Sequence, residues 1–354
     1  MSESVSYTAV LDVKASTVTF LVEALNELRD RLGSRAGTRA LSTWAQAVLV
    51  LRWFVDGTRM TNLVRDNRIA LSTGYKYLHE GIDVLAACSP SLVDALAHAQ
   101  ARGWSHVNLD GTVIAMDRCA TPGPGRADMW WSGKHRHHGG NVQVLSDPDG
   151  WPVWVSDVRP GREHDTTCAK AHHGLIDGLE TLEARGILPM VDLGYQGVSA
   201  HFRLPHKKPT WRKLFLSEQV YNRLFRAIHG IGERANALLK VTFKALRRVS
   251  LNPWRIGAIT RAALVILHIE HNRPLPALKS LRGKAHSSLR RHSTEVGTLS
   301  RTLPAAKANT PITRAAHPKT ACVQCRGLTD SGTPLAQTDV IATTAARVNV
   351  MKAG

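Results

Sequence analysis

The chain has 354 residues, with 46 Lys and Arg against 28 Asp and Glu, a formal charge of +18 and a pI of ≈ 10.2. That length supports two or three compact units with their own cores, and the basic excess favours a polyanionic partner, because cation–phosphate contacts release counterions; a merely soluble basic protein or a basic tail would carry the same charge. The longest apolar stretch, around Ala262–Ile269, is too short to cross a bilayer, no signal-peptide pattern opens the chain, and the five scattered cysteines form no disulfide framework, so a reducing, cytoplasmic (nucleoid-associated) location is expected.

In chain order, the segment 1–40 holds one amphipathic run, Phe20 to Leu28, with apolar positions at helical spacing. Residues 41–56 read as a second helix, capped by Ser42 or Thr43 and closed by Gly57. Two short helices, 60–67 and 72–87, follow across a tight turn; Ser72 or Thr73 would cap the second, which exposes Tyr75, Lys76 and His79. A helix–turn–helix sets such a second helix in the major groove, and an ordinary helical hairpin packing its leucines has the same pattern, so 41–100 is read as helix–turn–helix-like with both options open.

At residue 104 the period changes to that of strands. Residues 104–116 read as a first strand, and GNVQVLSD and WPVWVSDVR flank the turn signal Asp147-Pro148-Asp149-Gly150 as a hairpin. Residues 166–186 read as helical, and 187–194 as a short buried strand, apolar until its carboxylate. A Lys- and Pro-rich stretch, HKKPTWRK, leads into a helix over 217–247, and a further helix lies within 251–272. Strands first, then mixed helices and strands, give an α/β or α+β core over 101–250. The tail, 273–354, carries thirteen basic residues against three acidic ones and few aromatics, a composition expected to be disordered. It either grips DNA non-specifically or has no function. Within it Cys322 and Cys325 form a lone CxxC, read as incidental thiols ahead of a metal site.

Three acids stand out. Asp110 and Asp192 end apolar, strand-like runs, and Glu233 sits in a helix-like stretch rich in basic residues. Carboxylates on rigid elements can converge on a hard cation, since Mg²⁺ binds through one or two carboxylates plus substrate phosphates. In a strongly basic chain this points to metal-assisted chemistry on nucleic acid. Lys240, nearly two helical turns after Glu233, shares its face; it contacts a phosphate or is simply solvated. Asp165 is a rival acid, ranked below Asp192 because a loop Asp after Pro-Gly-Arg is more often a helix cap, here for 166–175. Asp117 and Asp149 read as surface or turn residues. The cluster Lys134–His138 contacts phosphates, binds a transition metal, or is a solvated loop. Trp130 and Trp131 pack, with base stacking the sharper alternative.

Several segments line up in one order. Asp110-Gly111-Thr112 follows a strand; Ser132-Gly133-Lys134-His135-Arg136-His137-His138-Gly139 precedes the run Asn141–Val144; Pro160-Gly161-Arg162-Glu163-His164-Asp165 is a Pro-Gly-x-x-His-Asp segment; Asp192-Leu193-Gly194-Tyr195 is an Asp-x-Gly-Tyr segment; Tyr221-Asn222-Arg223 leads to Glu233. Together, over roughly 42–247, they resemble the DDE transposases of the insertion-sequence type, the DDE superfamily endonucleases that include Harbinger-like relatives. The resemblance implies an RNase H-like core, with the first acid on the first strand, the second beside it on the fourth, and the glutamate on a following helix.

The same resemblance implies cleavage of double-stranded DNA at element terminal repeats and joining of the freed ends to target DNA, with two Mg²⁺ (or Mn²⁺) ions and at least a homodimer in the synaptic complex. Carried onto this chain, Asp110, Asp192 and Glu233 are the catalytic metal ligands; Lys240, Arg226 and Lys134 are DNA contacts, beside Tyr75 and Lys76; His164, Asp165 and His229 are supporting residues. One departure is that relatives carry arginine where this chain has His229, and Arg226 is the candidate to take its place. Gly230 and Gly232 are expected to weaken the helix by about 1 kcal/mol each. Two other readings stand beside the transposase: a catalytically inactive or repurposed sequence-specific DNA-binding protein, and a nuclease without joining activity.

Overall fold

A computed structural model describes residues 10–123 and 126–275; all but the first three residues of the tail read over 273–354, with Cys322 and Cys325, lie outside them. The described residues fall in one compact unit, Met1–Leu299. It is a mixed α+β structure, with a helical layer built from the N-terminal half of the chain and one mixed sheet.

The helical layer comprises α1 (Ala15–Arg31), α2 (Thr43–Asp56), α3 (Met60–Asp66) and α4 (Leu71–Ala87); α5 (Leu92–Ala101) packs instead in the second core. In α2 the buried Ala47, Val50, Leu51 and Phe54 recur at the spacing that places one apolar stripe on a helix. Its ends match the expectation. The Ser42 hydroxyl accepts from the Ala45 amide at 3.2 Å, and Gly57 closes the helix in the left-handed region at φ 64°. Ser42→Ala should cost about 1 kcal/mol, read as a lower urea midpoint at unchanged m-value.

Helices α3 and α4 cross closely because Gly74 has no side chain; a Cβ there would lie 2.3 Å from Val64 Cγ1. Neither Ser72 nor Thr73 caps α4. The helix starts one residue earlier, after Ala70, so both sit inside its first turn, where a hydroxyl no longer faces the free amides. Leu71–Ala101 is, among the described residues, the one stretch apolar and long enough by composition to cross a membrane; it is interrupted between α4 and α5 and half of it is buried in the core.

The sheet holds β1 (His106–Ala115), β2 (Trp131–Ser132), β3 (His137–Ser146), β4 (Pro152–Val155), β5 (Arg159–Pro160) and β6 (Leu188–Val191). Its order is β2-β3-β1-β6, with β4 and β5 also paired to β3. β3 runs antiparallel to β1, and β6 runs parallel to it. The expected hairpin is present as β3–β4. Asp147 fixes its turn by accepting the amides of Asp149 (3.0 Å) and Trp151 (2.7 Å), and Gly150 sits at φ 73°.

Alternation along β1 separates two cores. Val107 and Leu109 pack with Leu145 beneath α5 and α7 (Leu175–Glu183), whereas Ile114 packs with Val142 and Val144 beneath the N-terminal helices and α9 (Ile256–Glu270). The segment 166–186 is two helices rather than one: α6 (Asp165–Ala171) and α7, broken where Gly174 takes φ 75°. The long helix α8 spans Leu216–Thr242, stopping short of 247 because Phe243 turns extended and buries its ring edge-on to Phe54. Gly232, expected to weaken α8, instead lets it lie on β1: a Cβ there would be 2.6 Å from Asn108 Cβ, while Gly230 has nothing within 4 Å.

Candidate active site

The parallel pairing of β1 with β6 brings two of the acids together. Leu109 pairs with Val191 in the last rung, so Asp110 and Asp192, which follow them, stand at the same level. Asp110 lies on the sheet face covered by α8, and its Oδ2 accepts a hydrogen bond from Asn236 Nδ2 at 2.7 Å. Asp192 opens a short 3-10 turn, Leu193–Tyr195, and its Oδ1 accepts the Gly194 amide at 2.8 Å. Glu233 is exposed on α8, one turn before Asn236 and within electrostatic range of Asp110.

The electrostatics are those of an uncompensated acid cluster. Burial pushes the Asp110 carboxyl up to about 7, and the neighbouring charges of Asp192, Asp165 and Glu233 add to it against the Asn236 hydrogen bond. Asp192 is raised as well, by burial and then by Asp165, opposed by the Gly194 amide, Lys134 and His229. Lys240 is held below the usual lysine range by burial, with Asp110 acting in the other direction, so it faces the cluster rather than bulk solvent. Among the described residues no three His, Cys, Asp or Glu side chains converge tightly enough to hold an ion as they stand.

Asp165 belongs to this centre and does not cap its helix. It occupies the first position of α6, and its Oδ1 accepts from Asn141 Nδ2 at 2.8 Å. Gly111 and Gly194 make room for it. A Cβ on Gly111 would lie 2.2 Å from Asp165 Oδ1, and one on Gly194 would touch both Asp165 Oδ2 (3.4 Å) and Asp192 Oδ1 (2.8 Å). Behind Asp165 runs a hydrogen-bond chain: the buried Tyr195 hydroxyl donates to Gln143 Oε1, Gln143 Nε2 donates to Asn141 Oδ1 at 3.0 Å, and Asn141 donates to Asp165. Asn141, Gln143, Tyr195 and Asn236 are site residues beyond those expected. The polar alternation Asn141–Gln143 between buried valines is the signal of the first two, the Asp-x-Gly-Tyr segment that of Tyr195, and Asn236 has none.

The other expected residues divide. Lys134 is exposed, with Nζ 4.0 Å from Asp165 Oδ2. His164 is exposed and lines, with Asp165, Gly111, Lys134 and Trp131, an open cavity of ≈ 950 Å³ beside the acids. His229 is buried on α8 and has Asp192 and Glu233 as charge neighbours. Arg226 is exposed, and its Nε donates to the Asn222 carbonyl of its own helix. Tyr75 and Lys76 are exposed on α4, in the helical layer. Trp130 is a packing residue, buried edge-on to Trp254, whereas Trp131 is exposed beside His138. Asp117 pairs with Arg248 at 2.6 Å on the surface.

No curated protein matches the chain. Three solved structures resemble it at low score: a piggyBac transposase synaptic complex with hairpin DNA (11% identity, 86% of this chain and 81% of that one, TM-score 0.27), a Mos1 transposase paired-end complex (11%, 63% and 88%, 0.18) and a pre-cleavage Mos1 transpososome (11%, 73% and 98%, 0.19). Scores this low leave the function to be argued from the site. The sequence match is more direct, because it starts one residue before Asp110 and takes in every acid of the cluster: residues 109–268 match the family model described as DDE superfamily endonuclease.

Proposed function

We propose that this protein is a DDE transposase of the insertion-sequence type, which cuts DNA at element ends and joins the freed 3′-hydroxyl to target DNA. The observation that carries the reading is that Asp110, midway along β1, and Asp192, just past the end of β6, each follow a residue of the last parallel rung, Leu109 and Val191, with Glu233 on the helix that crosses β1. That placement is the one expected of an RNase H-like core.

The residues present suit one or two Mg²⁺ or Mn²⁺ ions. The donors are carboxylate oxygens, the preferred ligands of hard cations. Like charges raise one another's pKa here, and a bound cation removes that penalty. Buried polar atoms around the acids, His229 Nε2 and Asn236 Oδ1 among them, also lack partners. Asp110, Asp192 and Glu233 would hold the metal, which supplies nucleophile activation and support of the leaving oxygen when bound. Asn236 orients Asp110 through its 2.7 Å hydrogen bond, so the carboxylate presents its other oxygen. Lys240, beside Asp110, and Lys134, beside Asp165, bring positive charge to the phosphate.

The surrounding chain suits a DNA substrate. The +18 charge provides sequence-independent affinity, and α3–α4, with Tyr75 and Lys76 outward, is placed in the major groove as a helix–turn–helix. The working complex is a dimer or larger, because two ends must be held together, and the setting is the nucleoid.

The test is cleavage and joining of labelled DNA carrying the ends of the source element, in Mg²⁺ or Mn²⁺, with Asp192→Asn alongside. Metal-dependent nicks and joined product, both absent from the variant, are the expected result. Nicks without joined product would make the protein a nuclease, and end binding without cleavage in either metal would make it a DNA-binding protein that has lost its chemistry.

A further inference from the structure

Trp131 is not used by the chemistry, and the fold does not bury it. It lies on β2, the edge strand of the sheet, and is 43 % exposed, whereas Trp130 beside it is buried. Its ring meets His138 edge-on at 5.2 Å and 69°, and His138 is itself held by Asp128 at 2.9 Å. A single exposed aromatic ring is ordinary on a protein surface. This one lines the open cavity of ≈ 950 Å³ that reaches Gly111, Asp165 and Gly194, beside the acids. That volume is in the range of ligand pockets.

The charges of the lining favour an anion. Glu163 is taken up by Arg159 through two hydrogen bonds of 2.8 Å, and Asp128 by His138. Arg118 and Arg162 are exposed on the same lining, and neither side chain has an ion-pair partner among the described residues. Two guanidinium groups are thus left where a phosphate can reach them, and their planar forks suit its oxygens.

The ring decides what the phosphate carries. An aromatic face takes any base by stacking, and a basic groove that tracks the backbone completes a single-strand site. Inside a duplex both faces of a base are covered by its neighbours, so only a nucleotide that has left the stack can meet the ring.

We propose that this cavity binds unpaired nucleotides of the DNA strand that runs to the acids, with Trp131 stacking on a base and Arg118 and Arg162 contacting its phosphates. This rests on the DNA substrate of the proposed function and adds that the strand is single on the Trp131 side of the centre.

The experiment is fluorescence anisotropy of labelled oligothymidine, and of the same strand annealed to its complement, with the full-length chain in chelator so that nothing is cut. Salt is titrated for the wild type, Trp131→Ala, Trp131→Phe and Arg162→Ala. Trp131→Ala should lose roughly 5–150-fold in single-strand affinity, the scale of one stacked base, with its salt slope and duplex affinity unchanged. Trp131→Phe should keep most of the affinity, since it keeps an aromatic face. Arg162→Ala should lower the single-strand salt slope by about 0.7, one phosphate contact. Single-strand affinity untouched in Trp131→Ala, or an equal loss for single strand and duplex, overturns the stacking role. A wild-type slope in Arg162→Ala, which is independent of how the Trp131 variants fold, overturns the path of the phosphates through the cavity. None of these outcomes touches the cleavage reading, and a wild type that binds as expected yet never cuts would overturn that reading and leave the cavity standing.

Discussion

Asp110→Asn is expected to make the metal-free protein more stable at pH 8 while removing its cleavage activity. The Asp110 carboxyl titrates at about 7 in the fold, against an ordinary value of 3.8. Its folded pKa is therefore the higher one, and the folded state binds the proton more tightly than the unfolded chain. The stability this gives is fully present below pH 3.8, declines as the unfolded chain ionises, and is lost once pH passes about 7. At about 1.36 kcal/mol per unit the whole effect is at most about 4 kcal/mol, reached in the absence of divalent ions. Asparagine keeps the shape and can still accept from Asn236, yet carries no charge to desolvate. Guanidinium denaturation in chelator at pH 5 and pH 8 measures it: the wild type should weaken between the two by more than the variant, which keeps the raised carboxyls of Asp192 and Asp147. Equal stability of both proteins at pH 8 would show that Asp110 carries no buried charge there. Cleavage should fall by roughly 10³-fold or more, since a metal contributes several kcal/mol to the transition state. A gain in stability with a loss of activity marks a residue kept for chemistry at the expense of the fold.

Much of this centre could be read from the chain, because its backbone-determined parts have local signals. The apolar runs that lead to Asp110 and Asp192 are the first half of β1 and the whole of β6, which pair in parallel. Ser42 and Gly57 mark the ends of α2 at the expected positions. The capping box of α5, Ser91 with Asp94, was equally local and went unread. What sequence did not disclose is what depends on contacts between distant segments. Asp165 looks like a helix cap by position, but Asn141, 24 residues before it, takes up its carboxylate. Asn236 is legible only as a neighbour of Glu233 until α8 is laid across β1 and its amide meets Asp110. Gly232 reads as a local weakness of a helix, and only the packing against Asn108 gives it a purpose.

Gly232→Ala and Gly230→Ala should therefore separate two effects that the same substitution usually mixes. Alanine improves helix propensity by about 1 kcal/mol at either position. At Gly230 nothing lies within 4 Å, so that gain is kept: the protein should become more stable by about 1 kcal/mol with its activity intact. At Gly232 the new Cβ would be 2.6 Å from Asn108 Cβ, an atom fixed to the β1 backbone that no rotamer change can move. The helix must lift, at an overpacking cost of about 1–3 kcal/mol that offsets the propensity gain. Glu233 and Asn236 travel with it, away from Asp110. A displacement of about 1 Å at a reacting centre can cost about 10²-fold in rate, so cleavage should fall by that order while the denaturation midpoint moves little. Parallel denaturation curves and single-turnover nicking assays on the two variants check this. Equal activities would show that α8 does not need its close seat on β1 to place Glu233, and the centre would then have to be assembled by the DNA rather than by the fold.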